Sequence, residues 1–153
     1  MRYWLMKSEP ETFSIDDLKR LGESAWDGVR NYQARNFMMN DMQVGDQVLF
    51  YHSSCEPPGV AGLAQISAPA APDTSALDAK SPYFDPKAAL DRPIWYCTKV
   101  SFKEKFDEMV PLEKIRKTKS LSKMPLLARG QRLSIQPVTK AEFDTILKMA
   151  HAP

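Results

Sequence analysis

Apolar positions along this chain come in short alternating or compact runs broken by turn residues, a pattern that predicts several strands mixed with short helices. Tyr3 to Lys7 reads as a strand. Ser14-Ile15-Asp16-Asp17-Leu18 reads as a helix start, with Ser14 as N-cap and an acid three residues on. A second helix begins near Asn31 and runs through Phe37 and Met38 toward Met42. Val44-Gly45-Asp46 then turns the chain into a strand over Gln47 to Ser53, and another strand covers Gly59 to Ala68. Glu56-Pro57-Pro58-Gly59 between them is too proline-rich for a helix, so the two strands are predicted to form a hairpin.

Residues 67 to 93 are rich in Ala, Pro, Asp and Ser and read as a long surface connection, interrupted by the aromatics Tyr83 and Phe84. Pro93 to Phe106 is the longest strand candidate. Pro111 to Lys117 suggests a short helix with proline in its first turn. Arg132 to Pro137 is a short strand stopped by proline, and Thr139-Lys140-Ala141-Glu142 is a capping-box start for a last amphipathic helix using Phe143, Ile146 and Leu147. No internal repeat and no regular βαβ alternation occur. The expected class is α+β, one domain over residues 1–153, built around a curved or closed sheet.

Charge changes this picture only when divided along the chain. The net value is +2, but residues 101 to 153 hold 11 Lys/Arg against 6 Asp/Glu. Lys114, Arg116, Lys117, Lys119, Lys123, Arg129 and Arg132 follow one another with no intervening acid, a footprint that suits phosphates and equally suits a solvated, lysine-rich loop. The first residues do not resemble a signal peptide and no stretch approaches the length of a membrane span, so a soluble, intracellular protein without membrane attachment is expected. Cys55 and Cys97 are far apart and read as free thiols. Two His and two Cys at no zinc-type spacing argue against a metal site, and no P-loop or dinucleotide motif argues for a cofactor. His52, Ser53, Ser54 and Cys55 place nucleophiles beside a base, which keeps a small hydrolase as a minority reading. Alternate strand residues stand roughly 6 to 7 Å apart at the backbone, too far for an activated pair. Met38, Met39, Met42 and Met124 would serve a protein-interaction surface, although methionines at helical spacing more often fill a core.

Candidate chemistry concentrates in Trp26-Asp27-Gly28-Val29-Arg30-Asn31-Tyr32-Gln33-Ala34-Arg35. No strand or helix requires an indole, a carboxylate, a turn glycine, two arginines and two amides in one run, whereas a pocket for a flat polar ligand does. Trp26 offers a stacking face or a core tryptophan. Asp27 accepts from an exocyclic amine, as carboxylates do with cytosine, or serves a turn with Gly28. Asn31 reads a base edge or caps the following helix, the second being the stronger alternative. Arg30 and Arg35 match phosphate oxygens or form surface ion pairs. On the strand ending at Ser53, alternation separates His52 from Tyr51 and Ser53, and the latter two are favoured as the pocket pair. Arg132, Ser134 and Gln136 share one parity of the last strand.

Four motifs in order, Tyr3 to Pro10, Trp26 to Phe37, Phe50 to Ser53 with Gly59 to Gly62, and Arg132 to Pro137, closely resemble the EVE domain family of the PUA-like superfamily, related to the YTH readers of methylated adenine. The resemblance spans nearly the whole chain. It implies a small PUA-like β-barrel flanked by helices and a non-catalytic cleft that accepts a flipped, modified base, modified cytosine in DNA being favoured and an RNA-binding PUA-like module the alternative, with no cofactor and no metal. It assigns the base pocket to Ser8, Trp26, Asp27, Val29, Asn31, Tyr51, Ser53 and Ser134. Arg30, Arg35, Lys123, Arg129 and Arg132 become the phosphate contacts, and Tyr83, Phe84 and Asp85 a lid. The chain also lacks the lysine-rich leader of eukaryotic nuclear relatives, which predicts a bacterial, cytoplasmic, stand-alone protein.

Overall fold

The computed structural model describes residues 1–152. Six strands, β1 (Tyr3–Ser8), β2 (Glu23–Ala25), β3 (Gln47–His52), β4 (Gly59–Pro72), β5 (Tyr96–Pro111) and β6 (Ile135–Val138), form one mixed sheet in the order β2-β5-β4-β3-β1-β6. β1 and β3 run parallel and every other pair is antiparallel. The helices are α1 (Ile15–Leu21), α2 (Tyr32–Asn36), α3 (Leu112–Arg116) and α4 (Lys140–His151). Among the described residues no helix is long and apolar enough to cross a membrane.

Local chemistry sets the helix ends. Ser14 and Asp17 form a reciprocal capping box on α1, and Thr139 and Glu142 form another on α4, so each helix start has two of its orphan N–H groups satisfied. Asn31 accepts from the Ala34 N–H and starts α2, which widens into a π-turn over Phe37–Asp41 before Met42 leaves it. The β3–β4 hairpin forms as expected.

Apolar faces on both sides of the sheet bury two separate cores. Trp4, Met6, Val48 and Phe50 pack with Ile15, Leu18, Trp26 and Met38 on one face. Leu5, Leu49 and Tyr51 pack with Ile115, Leu121, Phe143 and Ile146 on the other. The alternation of β1 and β3 therefore feeds both cores. Register shifts bend the long β4–β5 pair, so β5 gives Cys97 and Val100 to the first core and Phe106 and Val110 to the second.

Three expectations are corrected. The sheet is curved by its bulges but does not close: β2 and β6 are its two ends, only 3 and 4 residues long, and Pro137 in β6 lacks the N–H that another ladder would use. β4 continues through Pro72 instead of ending near Ala68, because Ala71 and Pro72 still pair with Cys97 and Tyr96 across a bulged register. β5 starts at Tyr96 and runs to Pro111, past the expected end at Phe106.

Asp46 ties the turn before β3 to β1. It is 2% exposed and accepts from the Trp4 indole N–H (3.0 Å), the Arg2 N–H (3.1 Å) and the Gln43 N–H (2.9 Å). Removing this carboxylate strands the indole donor in the core. Asp46→Ala is expected to destabilise the fold by about 2 to 4 kcal/mol, read as a lower urea midpoint, since charged hydrogen bonds and an unsatisfied buried donor each carry about that scale. A midpoint unchanged from the parent would refute this role.

Candidate functional site

A cleft of about 560 Å³ opens on the face of the first core, within the ~300–1,000 Å³ range of ligand pockets. Its floor and walls come from the end of β1 (Lys7, Ser8, Glu9), the loop at Phe13, the end of β2, the segment Trp26 to Arg30, Tyr83 and Ser134. Four stretches distant in sequence meet there, residues 7–13, 24–30, Tyr83 and Ser134, with the antiparallel pairing of β1 and β6 setting Ser134 beside Lys7. The Lys7 N–H donates to Ser134 O (2.8 Å), and the Ser53 N–H to Ser8 O (2.9 Å).

The segment after β2 is shaped by one buried carboxylate. The Trp26 N–H donates to Thr98 O, which ends the β2 pairing. Gly28 then turns at φ +82°, and a Cβ there would stand 2.7 Å from the Tyr83 ring. The position needs glycine for its backbone and for the ring packed on it. Asp73, 2% exposed, accepts from the Gly28 N–H (2.9 Å), from Arg30 Nη1 (3.0 Å), and from the Ser75 N–H and hydroxyl (3.0 and 2.6 Å). Arg30 also donates twice to Tyr83 O (2.7 and 3.1 Å). Asp73, Arg30 and Tyr83 thus bind the cleft wall to the connection that follows β4.

Of the expected pocket residues, Ser8, Trp26, Asp27, Val29 and Ser134 line the cleft, together with Arg30 and Tyr83. Trp26 is 7% exposed and packs edge-on against Phe13 and Phe50, so it is a core residue that shows part of its ring to the cleft. Truncating it would cost about 3 to 5 kcal/mol of stability, which makes it a poor probe of binding. Ser8 donates to Phe13 O and fixes the neighbouring loop, leaving only its acceptor capacity. Asn31 lies outside the cleft because its side chain caps α2.

Tyr51 is a correction: it faces the second core, 3% exposed, while His52 takes the cleft-side face with Phe50. The parity chosen from the sequence was reversed, because the strand's apolar run Val48-Leu49-Phe50-Tyr51 feeds two cores and does not mark one inner face. Ser53 is engaged through its backbone with Ser8 and does not line the cleft. Lys7, Glu9, Thr12, Phe13 and Ser24 line it without having been singled out. The first-strand motif carried that signal, since Lys7 and Ser8 sit at the end of a strand beside the same cleft.

Arg30 and Arg35, expected as phosphate contacts or surface ion pairs, are both hydrogen-bonded within the protein. Besides its bonds to Asp73 and Tyr83, Arg30 lies 5.2 Å from the Trp95 ring centroid and 5.7 Å from that of Tyr83. Arg35 donates to Ile94 O (2.9 Å) and to Asn36 Oδ1 (2.8 and 3.1 Å). Lys123, Arg129 and Arg132 are exposed, and among the described residues none of the three has an ion-pair partner. Lys123 sits between Leu121 and Met124, which are buried in the second core, whereas Arg132 precedes Leu133 of the first core and is two residues from Ser134 in the cleft. In the expected lid, Tyr83 is a wall, Phe84 is 42% exposed, and Asp85 is held by the Trp95 indole N–H (2.7 Å).

The charged groups lining the cleft, Lys7 and Arg30 against Glu9 and Asp27, balance in number but are not paired with one another across it. Loss of hydration raises the Asp27 pKa above the usual 3.8, and the nearby Asp73 charge adds to this, outweighing its own backbone N–H and Arg30. Burial pushes Lys7 below its ordinary value. At Asp73 burial alone would raise the pKa, but hydrogen bonds from Ser75, Gly28 and Arg30 and the Arg30 charge hold it below 3.8. Asp27 and Lys7 therefore face the cleft without ion-pair partners among the described residues.

His52 is no general base here. Its Nε2 accepts from the Ile15 N–H (3.1 Å), and desolvation lowers its pKa. Cys55 is pushed up by desolvation and by Glu56, so the thiol form is favoured, and its Sγ contacts Pro57 O. Among the described residues no hydrogen bond joins His52 to Ser53 or Cys55.

Fold and cleft together define an α+β domain with an open cleft roomy enough to admit a planar polar group. The EVE domain model matches residues 2–149, and the chain belongs to the EVE domain family. It is 42% identical over 166 residues to mouse thymocyte nuclear protein 1, covering 96% of this chain and 73% of that protein. A Pseudomonas syringae protein of known structure is 47% identical with a TM-score of 0.93, covering 97% of this chain and 99% of its own. The human THYN1 protein, solved in complex with DNA containing 5-methylcytosine, is 39% identical with a TM-score of 0.89, covering 100% of this chain and 99% of its own.

Because the folded pKa of Asp27 lies above 3.8, its charged form opposes folding, and that opposition appears as pH rises from 3.8 through the folded value. Asp27→Asn is expected to raise the melting temperature at pH 7, with the gain shrinking as pH falls toward 3.8. A variant less stable than the parent at pH 7 would show that the carboxylate is instead a structural anchor.

Proposed function

We propose that this protein is a non-catalytic reader of DNA that holds one extruded, modified cytosine in the cleft between Lys7, Asp27 and Ser134. The observation that carries the proposal is the donor and acceptor set left unpaired inside a cleft with room for a nucleobase. Cytosine presents a donating exocyclic amine beside accepting ring nitrogen and carbonyl positions. The Asp27 carboxylate complements the amine, while the Lys7 ammonium and the Ser134 hydroxyl complement the acceptors. Phe13, Val29 and the Trp26 ring supply apolar surface for the ring and for a small substituent on it. The human THYN1 complex with 5-methylcytosine-containing DNA supports the same ligand for this relative.

Taking a base out of a duplex costs a few kcal/mol, and charge-assisted hydrogen bonds in a partly dehydrated cleft are of the size that offsets it. Exposed Arg132 and Arg129, at the approach to Ser134, meet the flanking phosphates. Arg30, itself part of the cleft lining, holds Tyr83 directly and Gly28 through their shared partner Asp73.

Fluorescence anisotropy at fixed salt, with matched DNA and RNA oligonucleotides carrying cytosine, 5-methylcytosine or 5-hydroxymethylcytosine, tests the proposal. DNA binding should depend on the modification, and Asp27→Asn should weaken it by about 1.5 to 3 kcal/mol, the scale of a hydrogen bond to a charged group. Binding that ignores both the modification and Asp27 would refute the base-reader proposal, and preference for RNA would refute its DNA part. Arg132→Ala should weaken binding to every sequence and flatten the dependence of log K on log salt by about one phosphate contact. An unchanged slope would remove Arg132 from the interface.

A further inference from the structure

Behind the cleft wall, aromatic and guanidinium groups form one continuous stack. Tyr83, which lines the cleft, is 5.7 Å from the Arg30 guanidinium, and Arg30 is 5.2 Å from the Trp95 ring. Trp95 lies 4.9 Å from Tyr32 at an interplanar angle of 20°. The stack ends at Tyr32, which is 59% exposed although its partner Trp95 is only 5% exposed.

One face of Tyr32 is covered and the other is open. Arg35 stands 4.8 Å from the Tyr32 centroid and 5.8 Å from the Trp95 centroid. A group capping the far face of Tyr32 would stand at nearly the summed distance from Trp95, so Arg35 flanks the Trp95 side of the ring. The platform is also stiff. The Trp95 indole is pinned to Asp85, Arg35 is held by Ile94 O and Asn36, and Asn31 caps the helix that carries Tyr32. An aromatic fixed in this way loses little entropy on receiving a flat partner, and the arginines on its covered side favour an anionic strand.

We propose that Tyr32 is a second base-stacking platform, taking an unstacked nucleobase from the strand that supplies the extruded base. This rests on the base-reader proposal and extends it from one pocket to a strand path running from the cleft to Tyr32. Covering Trp95 accounts for the inner face of Tyr32, and the outer face at the end of the rigid stack is left for a flat partner. A stacked base gains the contact without any hydrogen-bond readout, so the platform adds affinity and not sequence choice.

The test uses the full chain and 5-methylcytosine DNA carrying 5-iodouracil at successive positions on either side of the modified base. Near-ultraviolet cross-linking should map by mass spectrometry to Tyr32 from one flank. Tyr32→Leu keeps Trp95 covered but removes the π face; it should weaken binding about 5- to 100-fold, the range for one lost stacked base, while keeping the preference for the modified base. Tyr32→Phe should bind as the parent does. Cross-links that avoid Tyr32, or Tyr32→Leu binding unchanged in a parent that reads the modification, would overturn the platform alone. Loss of the modification preference in Tyr32→Leu would also overturn it, by showing that the ring acts through the wall. A parent that binds no oligonucleotide would overturn the platform and the base reader together.

Discussion

A carboxylate taken out of water must be hydrogen-bonded or protonated, and Asp73 meets that constraint by gathering the groups around the cleft wall. Its oxygens receive Gly28, Arg30 and Ser75 together. Each partner then fixes something further. Gly28, with no Cβ, takes its left-handed turn and leaves the space that the Tyr83 ring fills, and Tyr83 is held there by two bonds from Arg30 to its carbonyl. Arg30, fixed by Asp73, spaces Tyr83 from Trp95. The long connection after β4 is therefore part of the binding wall, held by charge-assisted bonds in place of a large apolar contact. Ion pairs of this kind add specificity of arrangement more surely than they add stability, which suits a wall that must keep its shape while open to solvent on one side.

The sequence disclosed the elements whose signals are local. Ser14, Asn31 and Thr139 are caps that act within three residues, and all three function as read. Features that depend on partners distant in sequence were not legible. Glu23–Ala25 has no apolar alternation and is a strand only because β5 offers it a ladder. Pro72 pairs through a bulged register that no period reports. The open ends of the sheet follow from short β2 and β6 strands, and closure cannot be inferred from curvature alone. Asp73 escaped notice because an acid in an Ala/Pro-rich stretch looks like a solvated turn until its partners, 43 to 45 residues earlier, are brought to it. Tyr51 and His52 show the same limit at one strand: an apolar run shared by two cores carries no information on which face holds the cleft.

The aromatic residues of the Trp26 to Arg35 run divide by burial. Trp26, wedged between Phe13 and Phe50, gives the cleft a rigid floor, and Tyr32, stacked on Trp95, carries the same rigidity outward. The composition of the run suggested one pocket. In space its residues serve two faces, because the turn at Gly28 and the cap at Asn31 redirect the chain between the two rings. Arg30 and Arg35 are consequently spacers and props for aromatic rings, while cations free to meet phosphate lie on the approach to β6.

Asp27 and Asp73 are close enough for each to matter to the other, yet their situations are opposite. Asp73 is compensated on every side and its pKa falls; Asp27 stands open to the cleft with its hydration impaired, and its pKa rises partly because Asp73 stays charged. The fold satisfies the acid that organises the wall and leaves unsatisfied the acid that faces the cavity. Asp27 remains exposed to solvent, so its charge costs little in the empty cleft, and the carboxylate is left for a donor on a ligand to engage. Lys7, lowered by burial on the other side of the same cavity, repeats the pattern with the opposite charge. If the two groups served only the fold, pairing them with each other would have been the less costly solution. Their separate display, one acceptor and one donor in a cleft with room for a nucleobase, is the strongest physical reason to regard this surface as a binding site.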